Sequence, residues 1–291
     1  MKEWTEVEVP ANGINFHCVT QGEGDLVLLL HGFPESWYSW RHQIPSLARR
    51  FKVVAPDMRG YNLSDKPEGV SAYSISNLVT DVGALIEAFG YGKAHVVAHD
   101  WGGVVAWMFA VVNPGHLDKL VVMNCPHPAI FAKNLRGNPR QIARSWYMFF
   151  FQIPALPEAA IRSFDYFALK RAFRGWAINK DAFTDEDLEE LKKAASVPGS
   201  LTAGINYYRA MFQNLKAMKT VTEFPMIQSE TLLIWAESDR ALGKELTFGM
   251  DSYFSGGLEI KYIPNCSHWV QQEQPLLVNQ FLDEFLQGEE A

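Results

Sequence analysis

The stretch His95-Val96-Val97-Ala98-His99-Asp100-Trp101-Gly102-Gly103-Val104 decides the fold. An apolar run leads into its centre, and an apolar helical pattern leads out from Gly102 to about Val112. Strand, sharp turn and helix, with small residues two before, two after and three after the central position, is the layout of a nucleophile elbow. The small residues let the backbone turn tightly enough to push the central side chain into a cleft. That central residue is Asp100, not Ser or Cys. A serine that attacked an sp3 carbon would leave an ether, which cannot be hydrolysed here. A carboxylate leaves an ester, which can. Asp is ionised at neutral pH without help, its ordinary pKa being about 3.9. Asp100 therefore points to displacement at an sp3 carbon through a covalent ester.

Outward from the elbow, strands and helices alternate. Residues 4–9 and 14–20 read as two strands around Ala11-Asn12-Gly13. Leu26–Leu30 is a continuous apolar run, as in a strand buried on both faces of a parallel sheet. A helix is expected over Ser36–Arg50, a strand over Lys52–Pro56, and a helix from Ser74 or Ser76 to Phe89. Leu120–Asn124 reads as another buried strand. From Pro128 to Phe224 the pattern holds no convincing strand, only helical stretches, including Ser145–Phe151 and Ala203–Leu215. Thr184-Asp185-Glu186-Asp187-Leu188 reads as a helix start whose acids form a solvated face. The alternation returns at Thr231–Trp235 and Leu258–Ile263, and a last helix runs from Pro275 to Leu286. This predicts an α/β fold with a mostly parallel central sheet and helices on both faces. Its parts are a first core segment 1–128, an inserted helical cap 129–225 and a second core segment 226–291.

In the 291-residue chain, apolar content of 48% and charged content of 20% are those of a globular protein. A net charge of −7 argues against nucleic acid or an anionic membrane surface as a partner. Cys18, Cys125 and Cys266 show neither metal-ligand spacing nor a disulfide framework, which favours a reducing, cytoplasmic compartment. The N-terminal Met1-Lys2-Glu3-Trp4 has no apolar leader, and the most apolar stretch contains His99 and Asp100, so no membrane span is expected. No metal or cofactor is expected.

The elbow needs partners beyond later strand ends, in the order nucleophile, acid, histidine. Asp239 follows the Trp235 strand and His268 follows the Ile263 strand. Asp239 would orient His268, which would activate water. Glu237 is a rival acid. The other seven His, among them His31, His99 and His127, are expected to be structural. The oxyanion donors should be the backbone N–H groups of Trp101 and Phe33, the latter in His31-Gly32-Phe33-Pro34 after the Leu30 strand. A tight turn beside the site would make the Phe33–Pro34 bond cis. Trp37, Phe150, Trp269 and the other aromatic residues nearby are expected to line an apolar pocket.

His31-Gly32-Phe33-Pro34-Glu35-Ser36-Trp37, His99-Asp100-Trp101-Gly102-Gly103, Asn206-Tyr207-Tyr208-Arg209 and Cys266-Ser267-His268-Trp269 together resemble the α/β-hydrolase-fold epoxide hydrolases. The resemblance covers nearly the whole chain. It implies Asp100 as nucleophile, the Asp239–His268 pair for hydrolysis, and two cap tyrosines on the epoxide oxygen. Tyr208 matches the tyrosine of the Asn-aromatic-Tyr-Arg motif, and Tyr147 matches the second, with Tyr207 and Tyr166 in reserve. The substrate implied is a small apolar epoxide, with water, and there is room for a homodimer. One departure is Asn62, where the family usually has Gly. A phenol with pKa about 10 stays protonated at neutral pH and can donate to a departing alkoxide. The nearest rival is a haloalkane dehalogenase, which shares the Asp nucleophile but needs N–H donors for halide. Phe33 stands where Asn would favour halide, and no Arg follows Asp100 as fluoride release would want. A non-catalytic receptor on the same fold would not need the intact triad.

Overall fold

The computed structural model describes residues 4–218 and 224–287. Met1–Glu3 of the N-terminal stretch and residues 219–223 of the predicted cap lie outside them. Eight strands form one sheet: β1 (Thr5–Ala11), β2 (Ile14–Gln21), β3 (Leu26–Leu30), β4 (Lys52–Pro56), β5 (Ala94–His99), β6 (Leu117–Met123), β7 (Thr231–Ala236) and β8 (Leu258–Ile263). Their spatial order is β1-β2-β4-β3-β5-β6-β7-β8. β1–β2 and β2–β4 pair antiparallel, and every other pairing is parallel. The chain reverses direction across the sheet beside β3 and β5, so their carboxyl ends open the crevice where such folds hold ligands.

Alternate residues of each central strand feed two cores. Leu28, Leu30, Val96, Ala98 and Val122 pack under helices α2 (Ile75–Ala88) and α3 (Trp101–Val112). Val27, Leu29, Val97 and Val121 pack on the other face, with Val278 and Leu282 of α11 (Pro275–Gln287). Burial on both faces is why these strands read as unbroken apolar runs.

The helix expected over Ser36–Arg50 is two shorter pieces, a 3-10 turn at Trp37–Trp40 and α1 (Ile44–Leu47). Pro45 lacks an N–H and fits only the first turn of a helix, so the segment restarts there. Between β6 and β7 come α4 (Pro128–Gly137), α5 (Pro139–Arg144), α6 (Trp146–Phe150), α7 (Leu156–Trp176), α8 (Asp185–Ser196) and α9 (Ser200–Met218), with no strand among the described residues. A capping box between Thr184 and Asp187 starts α8. Asp187 departs from the expected solvated face. It accepts from the Tyr38 hydroxyl at 2.9 Å and the Arg41 Nε at 2.9 Å, which ties α8 to the loop after β3. The last short helix before α11 is α10 (Val270–Glu273).

Candidate active site

Asp100 stands at the N-cap of α3 with φ 48° and ψ −117°, a left-handed, strained conformation for a residue with a Cβ. The strain is held by close packing. A Cβ on Gly102 would lie 2.2 Å from the Leu30 carbonyl oxygen, and one on Gly32 would lie 2.5 Å from the Asp100 Cβ. Only glycine lets the turn after β3 and the elbow approach this closely. The Phe33–Pro34 peptide is cis. The Phe33 N–H donates to Asp100 Oδ1 at 2.8 Å, and Trp101 opens α3, where backbone N–H groups lack helical partners.

His268 Nδ1 meets Asp239 Oδ2 at 2.7 Å, and His268 Nε2 lies 3.5 Å from Asp100 Oδ2. Asp239 is fully engaged. Oδ2 also accepts from the Asn124 side-chain amide at 2.8 Å, and Oδ1 accepts from the Ala241 and Leu242 N–H groups at 2.7 and 3.0 Å. Burial raises the Asp239 pKa, but the His268 charge and these donors outweigh it and hold the carboxyl below its ordinary value. Asp100 is held low in the same way, burial being outweighed by His268, by the His99 charge and by the Phe33 N–H. For His268, burial works against the charged ring, yet the Asp239 and Asp100 carboxylates keep its pKa well above the ordinary imidazole value. Glu237, the rival acid, pairs with Lys244 instead.

Tyr208 and Tyr147 stand side by side, ring centroids 5.9 Å apart. Burial first, then the Asp100 charge, pushes both phenols upward, so both stay protonated. The Trp101 and Tyr208 rings meet edge to face at 4.9 Å. Phe33 and Phe151 pack on Tyr208 at 5.4 and 5.0 Å. Phe150 is half-buried beside Phe151.

Other expected residues face elsewhere. The Tyr207 hydroxyl donates to the Arg59 carbonyl at 2.7 Å, so this phenol holds α9 to the core. Trp37 packs edge-on against Trp4 at 5.2 Å, on the core of the opposite sheet face, which removes it from the pocket. Trp269 stacks on Phe173 at 4.1 Å and donates to the Ala172 carbonyl, and its edge backs His268 at 4.8 Å. Tyr166 packs with that Phe173–Trp269 cluster. Asn62 adopts φ 40° and donates to Asp57 Oδ2 at 2.9 Å. Asn tolerates the left-handed turn that otherwise asks for Gly.

Residues 25–275 match the alpha/beta hydrolase fold family. Epoxide hydrolase 1 of Caenorhabditis elegans is 41% identical over 292 residues, 98% of this chain and 71% of that one. The chain belongs to the α/β-hydrolase-fold epoxide hydrolases. The AB hydrolase superfamily protein YfhM of Bacillus subtilis is 40% identical over 284 residues, 97% of each chain. The crystal structure of a Bacillus megaterium epoxide hydrolase in complex with an inhibitor superposes with a TM-score of 0.90 at 32% identity. The match covers 97% of this chain and all of that one.

In this member of the epoxide hydrolases, four buried residues outside the sequence reading support the Asp100, Asp239 and His268 cluster. Glu35 Oε2 meets His99 Nδ1 at 2.8 Å and accepts from the Gly32 N–H at 2.9 Å. Gln271 and Gln272 donate to its other oxygen. The fourth is Asn124, whose amide oxygen also accepts from the Ala236 N–H at 2.8 Å, so one side chain locks β6 to β7 and to Asp239. Its signal was available: Asn124 follows a strand end, as Asp239 and His268 do. Among the described residues no helix is long and apolar enough to cross a membrane.

Proposed function

We propose that this chain converts an apolar epoxide and water into a vicinal diol through an ester on Asp100. One observation carries the reading: two protonated phenols, the buried Tyr208 and the half-buried Tyr147, stand together within the field of the Asp100 carboxylate. A carboxylate facing two O–H donors suits ring opening, where negative charge grows on oxygen.

In the first step an Asp100 oxygen forms a bond to an epoxide carbon and the carbon–oxygen bond of the ring breaks. A phenol protonates the leaving oxygen and is reprotonated from water, to which His268 gives up its proton. The product is a hydroxyalkyl ester with a neutral His268. Alkylation itself frees that base, because it removes the Asp100 charge that helped hold the proton on the ring. Next His268, oriented by Asp239, takes a proton from water as it attacks the ester carbonyl. The Phe33 and Trp101 N–H groups stabilise the oxyanion. Collapse releases the diol and returns Asp100 to carboxylate and His268 to its protonated form. Residues 129–225 act as the cap that carries both phenols, with Phe150 beside the apolar pocket. No cofactor enters this scheme, and the protein works as a cytoplasmic enzyme.

The test is a single turnover in heavy-oxygen water. Label in Asp100 supports the ester, whereas label placed directly in the diol would mean that water opens the ring.

A further inference from the structure

The segment that carries Tyr147 inward has an outer side with no part in the reaction. From 128 to 176 the chain holds eight Lys and Arg and two acids, a net +6 in a chain whose total is −7. The acids are spoken for: Glu158 pairs with Arg209, and Asp165 with Lys170 and Lys192. Lys133, Arg136, Arg140, Arg162 and Arg171 are exposed and have no ion-pair partner among the described residues.

Large apolar side chains stand beside these cations. Ile142 at the end of α5, Trp146 and Phe149 on α6, and Ile153 in the turn after it are all exposed. Trp146 is 62% exposed and Phe149 52%. Phe149 meets Phe212 of α9 at 5.5 Å. Phe212 in turn lines a groove of about 910 Å³ with Ala155, Ala159 and Arg162. Exposed rings of α6 and exposed cations of α4, α5 and α7 thus share this outer part of the chain, beside a groove that also holds the Glu158–Arg209 pair.

Exposed aromatic rings flanked by unpaired Arg and Lys suit an anionic bilayer, where rings enter at headgroup depth and cations meet phosphates. A second copy of this chain suits the face less well. A two-fold contact would set four unpaired cations against their own images.

We propose that the outer face of residues 133–162 docks this protein on an anionic lipid surface. Trp146 and Phe149 insert among the headgroups, and Arg136, Arg140 and Arg162 meet the phosphates. The proposal stands on exposure and charge and does not depend on the epoxide reading. If that reading holds, substrate dissolved in the bilayer lies one helix away from Tyr147.

The experiment is sedimentation of the full chain with vesicles of phosphatidylcholine, with and without phosphatidylglycerol. The expected result is binding to the anionic vesicles alone, weakened by salt. Arg136→Glu with Arg140→Glu should cut that binding about tenfold or more. Trp146→Ser with Phe149→Ser should weaken it too, and both variants should melt as the parent does. Equal binding to both vesicle types, or unchanged binding by the variants, overturns the proposal. A parent that is dimeric in analytical ultracentrifugation, with monomeric variants that lose no lipid binding, makes the face a contact between copies and also overturns it. Capture of an acidic protein with no vesicle binding does the same. None of these results bears on the Asp100 ester, which is tested with free substrate in solution.

Discussion

His99 Nε2 donates to the backbone carbonyl of His268 at 2.9 Å, and the two rings lie 4.8 Å apart. A carbonyl can only accept, so this nitrogen bears a proton. The other ring nitrogen faces Glu35 at 2.8 Å. Burial raises the Glu35 pKa, but the His99 charge and hydrogen bond outweigh it and keep Glu35 a carboxylate. His99 is thus held between the Glu35 carboxylate and the His268 carbonyl, and through the latter it fixes the backbone of the proposed base.

Glu35→Gln removes the carboxylate that anchors His99, which in turn holds the His268 backbone. Hydrolysis of the ester should slow by roughly 10-fold or more while alkylation is spared, because a displaced base costs the step it serves. Single-turnover hydrolysis of the alkylated protein reads this directly. An unchanged rate in a folded variant would show that His268 is held in place without Glu35.

His268→Gln should separate the two half-reactions. Ring opening needs Asp100 and the phenols, while water attack needs the base. The variant should take up one substrate mass and then stall, as mass spectrometry would detect. A folded variant that binds substrate without forming an adduct would show that His268 is required for ring opening itself.

Tyr208→Phe and Tyr147→Phe should each slow alkylation by roughly 10-fold or more, since a positioned acid contributes about 10²–10⁴-fold and the partner phenol still donates. The double variant should be nearly inactive. Quenching of Trp fluorescence in the pre-steady state follows the step. An unchanged double variant, or a haloalkane turned over as fast as any epoxide, would sink the epoxide reading. Tyr207→Phe should spare alkylation, because its hydroxyl is committed to the Arg59 carbonyl.

His127 should govern part of the acid sensitivity. Its ring stacks on Tyr253 at 4.4 Å, and burial lowers its pKa from 6.5 to about 4. Above 6.5 neither state binds the proton and the stability contribution is complete. As pH falls below 6.5 the unfolded chain takes up a proton that the folded one refuses. Stability is then lost progressively down to about 4. Between pH 7 and pH 5 this amounts to about 2 kcal/mol. His127→Asn keeps an acceptor for the Ala129 N–H and should flatten the dependence of urea midpoints on pH across that window. A slope equal to the parent's would mean that other groups carry the acid sensitivity.

Much of this was legible in the residues alone. Two-faced burial writes itself as apolar runs, so β3, β5, β6 and β7 could be read directly, and Gly102 and Gly103 marked the elbow by the space they leave. The order Asp100, Asp239, His268 followed from strand ends, which a local pattern can locate. What the sequence could not settle depends on which distant side chain completes a hydrogen bond. Tyr207 and Tyr208 are neighbours in one motif, yet helix geometry turns one hydroxyl to Arg59 and the other toward Asp100. Trp37 belongs to a site motif, yet it packs on Trp4. Asp187 sits among solvated acids, yet it meets Tyr38 and Arg41 across 149 and 146 residues of chain. Periodicity fixes the face that a residue occupies within its own element. The partner on that face is fixed only when the elements pack, because burial there requires each polar group to find a donor or acceptor.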